Sequence, residues 1–422
     1  MKYKLTNNTK IVNDITLYQI EALKDFGRVN SGDLGGWIES ESNLSQEGDC
    51  WVYGSAQVSG NAQVSDSARV SDNAYVYGNA QVSDSARVSD NARVSDNAYV
   101  YGSAQVSDNS QVFGYARVSD NVYVYDNAQV SGYAWVYGSA QVYGSAQVSG
   151  NAYVYGSAQV SDNSQVFGYA RVSDNVYVYD NAQVSDNAYV YGNAQVSDSA
   201  RVSDNAYVYG SAQVSDNSQV FGYARVSDNV YVYDNAQVSG YAWVYGSAQV
   251  YGSAQVSGNA RVYGSAYVYG SARVYCSAQV SGNVKVYGDA KIFQSHKIEF
   301  SKVVSDLSLP ENLIENIRAQ TNLGVFNNEV YCYKHVREDL SSLHDEKFKY
   351  RINEWAEVSD VDLSNESCAP GLHVSHVSYW EDQKGAKVLF CKVRLEDIIT
   401  VQEGKIRCRK LFVIGVCDGP VY

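Results

Sequence analysis

From Val52 onward every sixth residue is Val, up to Val286, and Ile292 and Ile298 continue the series, giving 42 positions without a slip. Two residues before each stands a small residue, almost always Ala, as at Ala56, Ala62, Ala68 and Ala74. The residues beside each Val are polar or aromatic, and each hexad closes on a pair such as Gly-Ser, Gly-Asn, Asp-Asn or Asp-Ser. Alternation around Val is the pattern of a short strand with one buried face. The closing pairs suit tight bends with positive φ. Strands this short cannot stand alone, so the pattern predicts that they stack on copies of themselves.

The hexad, an aliphatic residue followed four positions later by a small one, resembles the repeat of left-handed parallel β-helices. The resemblance implies three hexads per triangular coil of 18 residues, hence about 14 coils. An internal duplication fits that coil length. Residues 98–131 recur unchanged at 152–185 and at 206–239, an offset of 54, which is a whole number of 18-residue coils. Copying in whole coils suits an adjustable scaffold better than one unique site.

The outward positions differ between faces. One column, in steps of 18, reads Tyr99, Arg117, Trp135, Tyr153, Arg171, Tyr189, Tyr207, Arg225, Trp243 and Arg261. Strand neighbours about 4.8 Å apart allow ring stacking and cation–π contact. The column is expected to stabilise the coils. As a binding surface it would serve a protein partner, a second copy of the chain or sugar rings, through Tyr99, Trp135, Tyr153 and Trp243. Columns rich in Gln, such as Gln111, Gln165 and Gln219, read as solvated faces.

Composition narrows the function. The net charge is −14, with no basic segment, so neither nucleic acid nor an anionic membrane surface is an expected direct partner. The repeat from 51 to 292 holds 18 Asp, no Glu and 11 Lys or Arg, which leaves mimicry of DNA by an acidic rod as one idea. No apolar run is long enough to span a bilayer, and the first residues lack the apolar core of a signal peptide, so a cytoplasmic location is expected. Seven Cys, without a paired pattern, fit reduced thiols. The hexad fold hosts acyltransferases that use a His base on or near the coils. Here the five His are His296, His335, His344, His373 and His376, none of them between residues 51 and 290, so acyl transfer by the repeat is not expected. A Thr-X-Thr array for binding ice is absent too.

The ends of the repeat need caps. Asp33 to Gly54, DLGGWIESESNLSQEGDCWVYG, leads into the first coil, with Trp37, Ile38, Leu44 and Cys50 expected over the first Val layer. Beyond the repeat the hexad is lost. Ser308 to Ile314 reads as a helix start, with Ser308 as cap and Pro310 in the first turn. Glu329–Val336, Lys387–Leu395 and Lys405–Val416 read as strands. The cap segment, the hexads and a domain bearing APGLHV and GKIRCRKL together resemble a group of uncharacterised phage and prophage proteins. The expected fold is therefore mainly β. It comprises an N-terminal cap region (1–50), a left-handed parallel β-helix (51–299) and a small C-terminal α+β domain (300–422).

Candidate chemistry sits in that last domain. The stretch CAPGLHVSHVSYW, Cys368 to Trp380, resembles the Gly-aliphatic-aromatic-X-Ser…Ser-X-Tyr region of ADP-ribosyltransferases. The resemblance implies roles for Gly371, Ser375, Ser378 and Tyr379, with His335 on the nicotinamide side. The departures are Val336 after His335 in place of Gly, and an unplaced catalytic acid, for which Glu396 and Glu403 are available. A zinc site of Cys368, His373 and His376 lacks the usual closely spaced Cys pair, so neither a metal nor a cofactor is expected. Alternation in KIRCRKL puts Arg407 and Arg409 on one face, where they could hold a phosphate or carboxylate. Gly371 and His373 are further binding candidates.

These observations point first to a non-enzymatic, phage-derived scaffold whose C-terminal domain makes the specific contact. Two alternatives stand beside it: a nucleotide-binding or ADP-ribosyltransferase-like enzyme with the rod as spacer, and an acidic DNA mimic that inhibits a host defence.

Overall fold

The computed structural model describes residues 1–288, 290–292, 297–298, 302–303, 310–359, 370–380, 387–402 and 404–417. The protein is mainly β, with a parallel β-solenoid of about 14 turns and a separate C-terminal antiparallel sheet. Two compact units, residues 1–234 and 235–422, are taken in turn. Their division falls inside the repeat, because a repeat array has no position packed more densely than the next.

The first unit opens on an antiparallel hairpin, Tyr3–Val12 with Ile15–Ala22. Its turn is Asn13-Asp14, both at positive φ (50° and 63°), as a two-residue hairpin turn requires. The sequence alone gives no firm reading of this hairpin. Leu34–Ile38 pairs with it and also joins the solenoid in parallel, Ile38 opposite Val58. Leu44 then bridges Val64. Ile38, Leu44 and Cys50 are buried over the first Val layer as expected. Trp37 is a correction: it is only half-buried, with the Lys10 ammonium 4.6 Å from its ring centre. The apolar lid is instead Trp51, buried edge-on against Tyr3 and Phe26.

Within the coils each strand is two residues long, X-Val, and pairs with the strand 18 positions on, for example Val136 with Val154 and Val154 with Val172. Val and Ala side chains along this unit are fully buried. Amides cross from coil to coil at about three per hexad: Tyr99 to Ala116, Tyr101 to Val118 and Ser103 to Asp120, with N···O of 2.9, 3.0 and 2.7 Å. That ladder satisfies the backbone of strands too short to pair within one coil. In the duplicated copies Ser110, Ser164 and Ser218 replace the core Ala. Each hydroxyl donates to a backbone carbonyl three residues earlier, at 2.6 to 2.7 Å, so the buried hydroxyls are met.

The turns explain why the repeat uses Asp and never Glu. From Gly54 to Gly288 every sixth residue has positive φ, and each is Gly or Asp apart from Cys276. Asp tolerates this backbone far better than most side chains. Its short carboxylate also reaches the turn of the next coil, where it accepts from the amide of Gly102 (Asp84, 3.0 Å), Gly114 (Asp96, 3.1 Å) or Gly138 (Asp120, 3.1 Å).

The second unit continues the pattern from Gln237, with Val and Ala again buried. Ser308, the expected helix cap, lies outside the described residues; the helix itself runs Pro310–Thr321. The C-terminal sheet is antiparallel. Its order is Trp355–Glu357, Lys410–Val416, Lys387–Arg394, Glu329–Val336, Leu372–Ser375, Lys405–Cys408, Ile398–Gln402, and Val325–Phe326 pairs beside Glu329–Val336. Its core gathers Ile317 from the helix with Val330, Cys332, Val374, Leu389, Cys391, Ile406, Cys408 and Val413. The expected strand 405–416 is two strands. They break at Arg409, whose amide donates to the Asp397 carbonyl at 2.9 Å.

Candidate functional site

The strand Glu329–Val336 alternates, with Val330, Cys332, Lys334 and Val336 on its buried phase. Lys334 is thus a cation placed where apolar side chains belong, and it is 9% exposed. Next to this strand runs Leu372–Ser375. The two strands pair at Tyr333 opposite Ser375. Toward His335 and His373 they part. Lys334 closes the gap by donating from Nζ to the His373 carbonyl at 2.9 Å, with its ammonium 5.3 Å from the Tyr350 ring centre. Burial lowers its pKa.

The gap opens into a cavity of about 590 Å³. Lys334, His335, His373, Gly371, Tyr379 and Lys405 line it, and Phe348, Tyr350, Leu343 and Leu372 form its apolar wall. The sequence candidates His335, Gly371, His373 and Tyr379 therefore share one pocket. Tyr379 is carried on the short helical turn Val377–Trp380, where its amide donates to the His376 carbonyl. Ser375 is buried, and its hydroxyl donates to the same carbonyl at 3.1 Å. Glu403 and Cys368 lie outside the described residues, as does the side chain of Ser378.

Arg407 and Arg409 do not share a face, which corrects the stripe expected from alternation. All four residues of Lys405–Cys408 are buried, because the strand lies between two neighbours and the helix packs on it. Arg407 is 1% exposed, while Arg409, past the break, faces solvent. Arg407 stands opposite His373 in the sheet. Its stem passes over Gly371, which has φ +149°, and a Cβ added there would lie 2.7 Å from Arg407 Cγ.

Positive charge converges on His373. Burial first, and then Lys334, Lys405, Arg407 and His344, lower its pKa from 6.5 to about 4. Burial and Lys334 lower His335 in the same direction. Both imidazoles are therefore neutral at neutral pH. The unfolded chain takes up a proton at His373 as pH falls through 6.5, whereas the folded chain resists until about 4. Stability of the C-terminal domain is thus expected to fall with pH across that window. Melting curves of wild type and His373→Gln between pH 7 and pH 4 check this: the variant should lose less over the same range.

Lys334, His344 and Tyr350 were not singled out in the sequence, and Lys405 only as a member of the basic run KIRCRKL. Lys334 had a legible signal, a charge in the inward phase of an alternating strand. His344 and Tyr350 lie in a segment without a period, and Lys405 shares the phase of Arg407 in KIRCRKL.

The aromatic column behaves as a ladder. In the first unit Arg117 lies over Tyr99 and Trp135, at 5.7 and 5.4 Å, and Arg171 over Tyr153 and Tyr189, at 5.5 and 5.1 Å. Tyr137 stacks on Tyr155, and Tyr189 on Tyr207, each at 5.0 Å and nearly parallel. In the second unit Trp243 leans on Tyr245 at 5.4 Å. Tyr99 is 37% exposed, whereas Trp135, Tyr153 and Trp243 are half-buried among their neighbours. Among the described residues there is no group of metal-ligating side chains, and no helix is long and apolar enough to cross a membrane.

Comparison with known proteins agrees on the repeat. Residues 56–71, 68–84, 86–102, 92–108, 146–163, 182–198, 200–217 and 254–270 match the family described as YdcK Beta solenoid repeat. The uncharacterized acetyltransferase YdcK of Escherichia coli (strain K12) is 50% identical over 40 residues, 10% of this chain and 12% of that protein. The alignment thus spans about an eighth of that relative's length. UDP-N-acetylglucosamine O-acyltransferase (LpxA) from Moraxella catarrhalis RH4 superposes with a TM-score of 0.30 at 12% identity, over 41% of this chain and 68% of that one. The chain is a repeat β-helix protein, and every residue matched by the repeat family lies within the coils.

Proposed function

We propose that the protein is a non-enzymatic solenoid scaffold, akin to the phage proteins its architecture resembles, whose C-terminal domain binds a small anionic ligand. The observation that carries this is the cluster of buried cations, Lys334 and Lys405 lining the cavity with Arg407 behind it. Among the described residues Lys334 is held by a carbonyl and a ring, not by a carboxylate. Burying a cation is costly unless an anion meets it, and at Lys334 a ligand anion would do so. The coils suit a supporting role. Asp carboxylates such as Asp84, Asp96 and Asp120 are engaged with turn amides, which counts against a DNA-mimicking surface, and no His lies between 51 and 290 to serve acyl transfer. The outer columns of the solenoid are left for a protein partner or a second copy.

Calorimetric titration of the full chain with inorganic phosphate and with citrate tests the anion site. Saturable binding is expected, at least about tenfold weaker in Lys405→Gln, as loss of a charge-assisted hydrogen bond entails. A folded wild-type protein that takes up neither anion would refute the reading.

A further inference from the structure

We propose that Lys2 and Cys50, in the N-terminal cap, are a modification site: under peroxide they join through a covalent bond from Nζ to Sγ. Both side chains are buried, Lys2 at 1% exposed and Cys50 at 0%. The Lys2 ammonium lies 3.1 Å from the Cys50 sulfur. Its other acceptors are the backbone carbonyls of Glu47 (3.1 Å), Gly48 (3.4 Å) and Cys50 (3.0 Å), and it sits 5.1 Å from the Phe26 ring centre. No carboxylate is among these contacts. A buried ammonium that meets no anion is costly. A sulfenamide nitrogen carries no charge, so forming the bond removes that cost.

The surroundings of the sulfur favour the same partner. Cys50 is the only cysteine of residues 1–234, so within this unit the thiol cannot end in a disulfide. Its further contacts are the carbonyls of Ser45 and Glu47, each at 3.6 Å, which are not nucleophiles. The loop 45–49 that supplies them is exposed at Glu47, Gly48 and Asp49. Opening of that loop alone admits a small oxidant. At rest the thiol is guarded, because burial raises its pKa and the Lys2 hydrogen bond offsets this only in part.

Hydrogen peroxide gives one oxygen to the sulfur and leaves as water, a two-electron oxidation of the thiol to a sulfenic acid. Lys2 releases its ammonium proton to solvent, and the amine lone pair attacks the sulfur. The S–O bond breaks as the S–N bond forms. The departing hydroxide takes a proton from the nitrogen and leaves as a second water. The sum is one hydrogen lost from the thiol and one from the amine. A dithiol reverses it by attack on the sulfur, which returns the amine. Lys2 leads into the strand Tyr3–Val12, and Cys50 into the first coil strand, Trp51–Val52. The bond therefore staples the hairpin to the start of the solenoid and closes the long loop between them.

Peptide mapping by mass spectrometry of the full chain after hydrogen peroxide, with and without dithiothreitol, tests this. The expected product joins the peptide carrying Lys2 to the one carrying Cys50, two hydrogens lighter than their sum, and dithiothreitol separates them. Lys2→Arg keeps the charge but offers no amine, and Cys50→Ser offers no thiol, so neither should give the product. Cleavage within residues 1–50 by a protease should be at least about tenfold slower in oxidised than in reduced wild type, a contrast lost in Lys2→Arg. Should either variant not fold, the wild-type map and its reversal decide alone. The exposed thiol of Cys276 marks when oxidation is complete. Cys50 still a free thiol at that point, or carried to a sulfinic acid with no link, would overturn the proposal. A link one oxygen heavier would overturn the direct bond, since it is an N–O–S bridge.

Discussion

Replacing Val154 by Asp is expected to destabilise the solenoid by more than about 4 kcal/mol, the range reached when a charge is buried without a partner. Replacing its neighbour Tyr153 by Asp should cost only about 1 kcal/mol, the scale of a lost cross-strand ring contact. The two residues form one strand and point to opposite sides of it. Val154 is fully buried, stacked between Val136 and Val172 in an interior of fully buried Val and Ala. A carboxylate there has neither water nor a cation within reach. Tyr153 is outward, touching Trp135 and lying beneath Arg171. An Asp in its place loses those ring contacts but stays solvated and near the guanidinium. Thermal melting of both variants, with limited proteolysis to locate the opened coils, decides it. Equal losses would mean that the inward column is not what holds the coils together.

That contrast was legible from sequence alone because the repeat multiplies one signal many times. A single X-Val pair predicts nothing, but an unbroken series at six-residue spacing fixes both the phase of burial and the positions of the turns. The Asp turns were legible for the same reason, and their φ angles agree at every step. The N-terminal hairpin was not, since its strands bury residues irregularly, and the strand that pairs with it, Leu34–Ile38, also joins the solenoid. Trp51 was passed over in favour of Trp37 because the cap's register against the coils depends on partners far along the chain.

The pocket was half legible. His335, Gly371, His373 and Tyr379 were found by residue type and spacing, and the fold brings them together. Arg407 was misplaced, because alternation assumes solvent on one side of a strand, and Lys405–Cys408 is covered on both. Lys334 shows how such a site can be read: a Lys in phase with Val330, Cys332 and Val336 conflicts with its own strand. Local conflict of this kind is expected where function has been placed in a core. Lys405 and His344 carry no such mark, since only the tertiary fold decides that they face one cavity.

Gly371→Val is the substitution expected to do most damage to the site. The residue has φ +149°, a conformation that β-branched side chains avoid, and the added Cβ would meet Arg407 Cγ at 2.7 Å and Cδ at 3.0 Å. A solvent-exposed arginine would swing aside at little cost. Arg407 is 1% exposed, opposite His373 in the sheet and covered by neighbouring strands, so its stem has nowhere to go without opening the strand pair. The strain and the displaced cation together are expected to cost about 3 kcal/mol or more of domain stability. Binding of phosphate should fall at least about tenfold, because the strand that carries His373 is pushed away from Lys334. Gly371→Ala should act in the same direction with a smaller loss. Melting and phosphate titration of the two full-length variants against wild type give the answer. A Gly371→Val protein with wild-type melting and wild-type affinity would show that Arg407 is free to leave its place, and that the close approach of glycine to guanidinium stem does not shape the pocket.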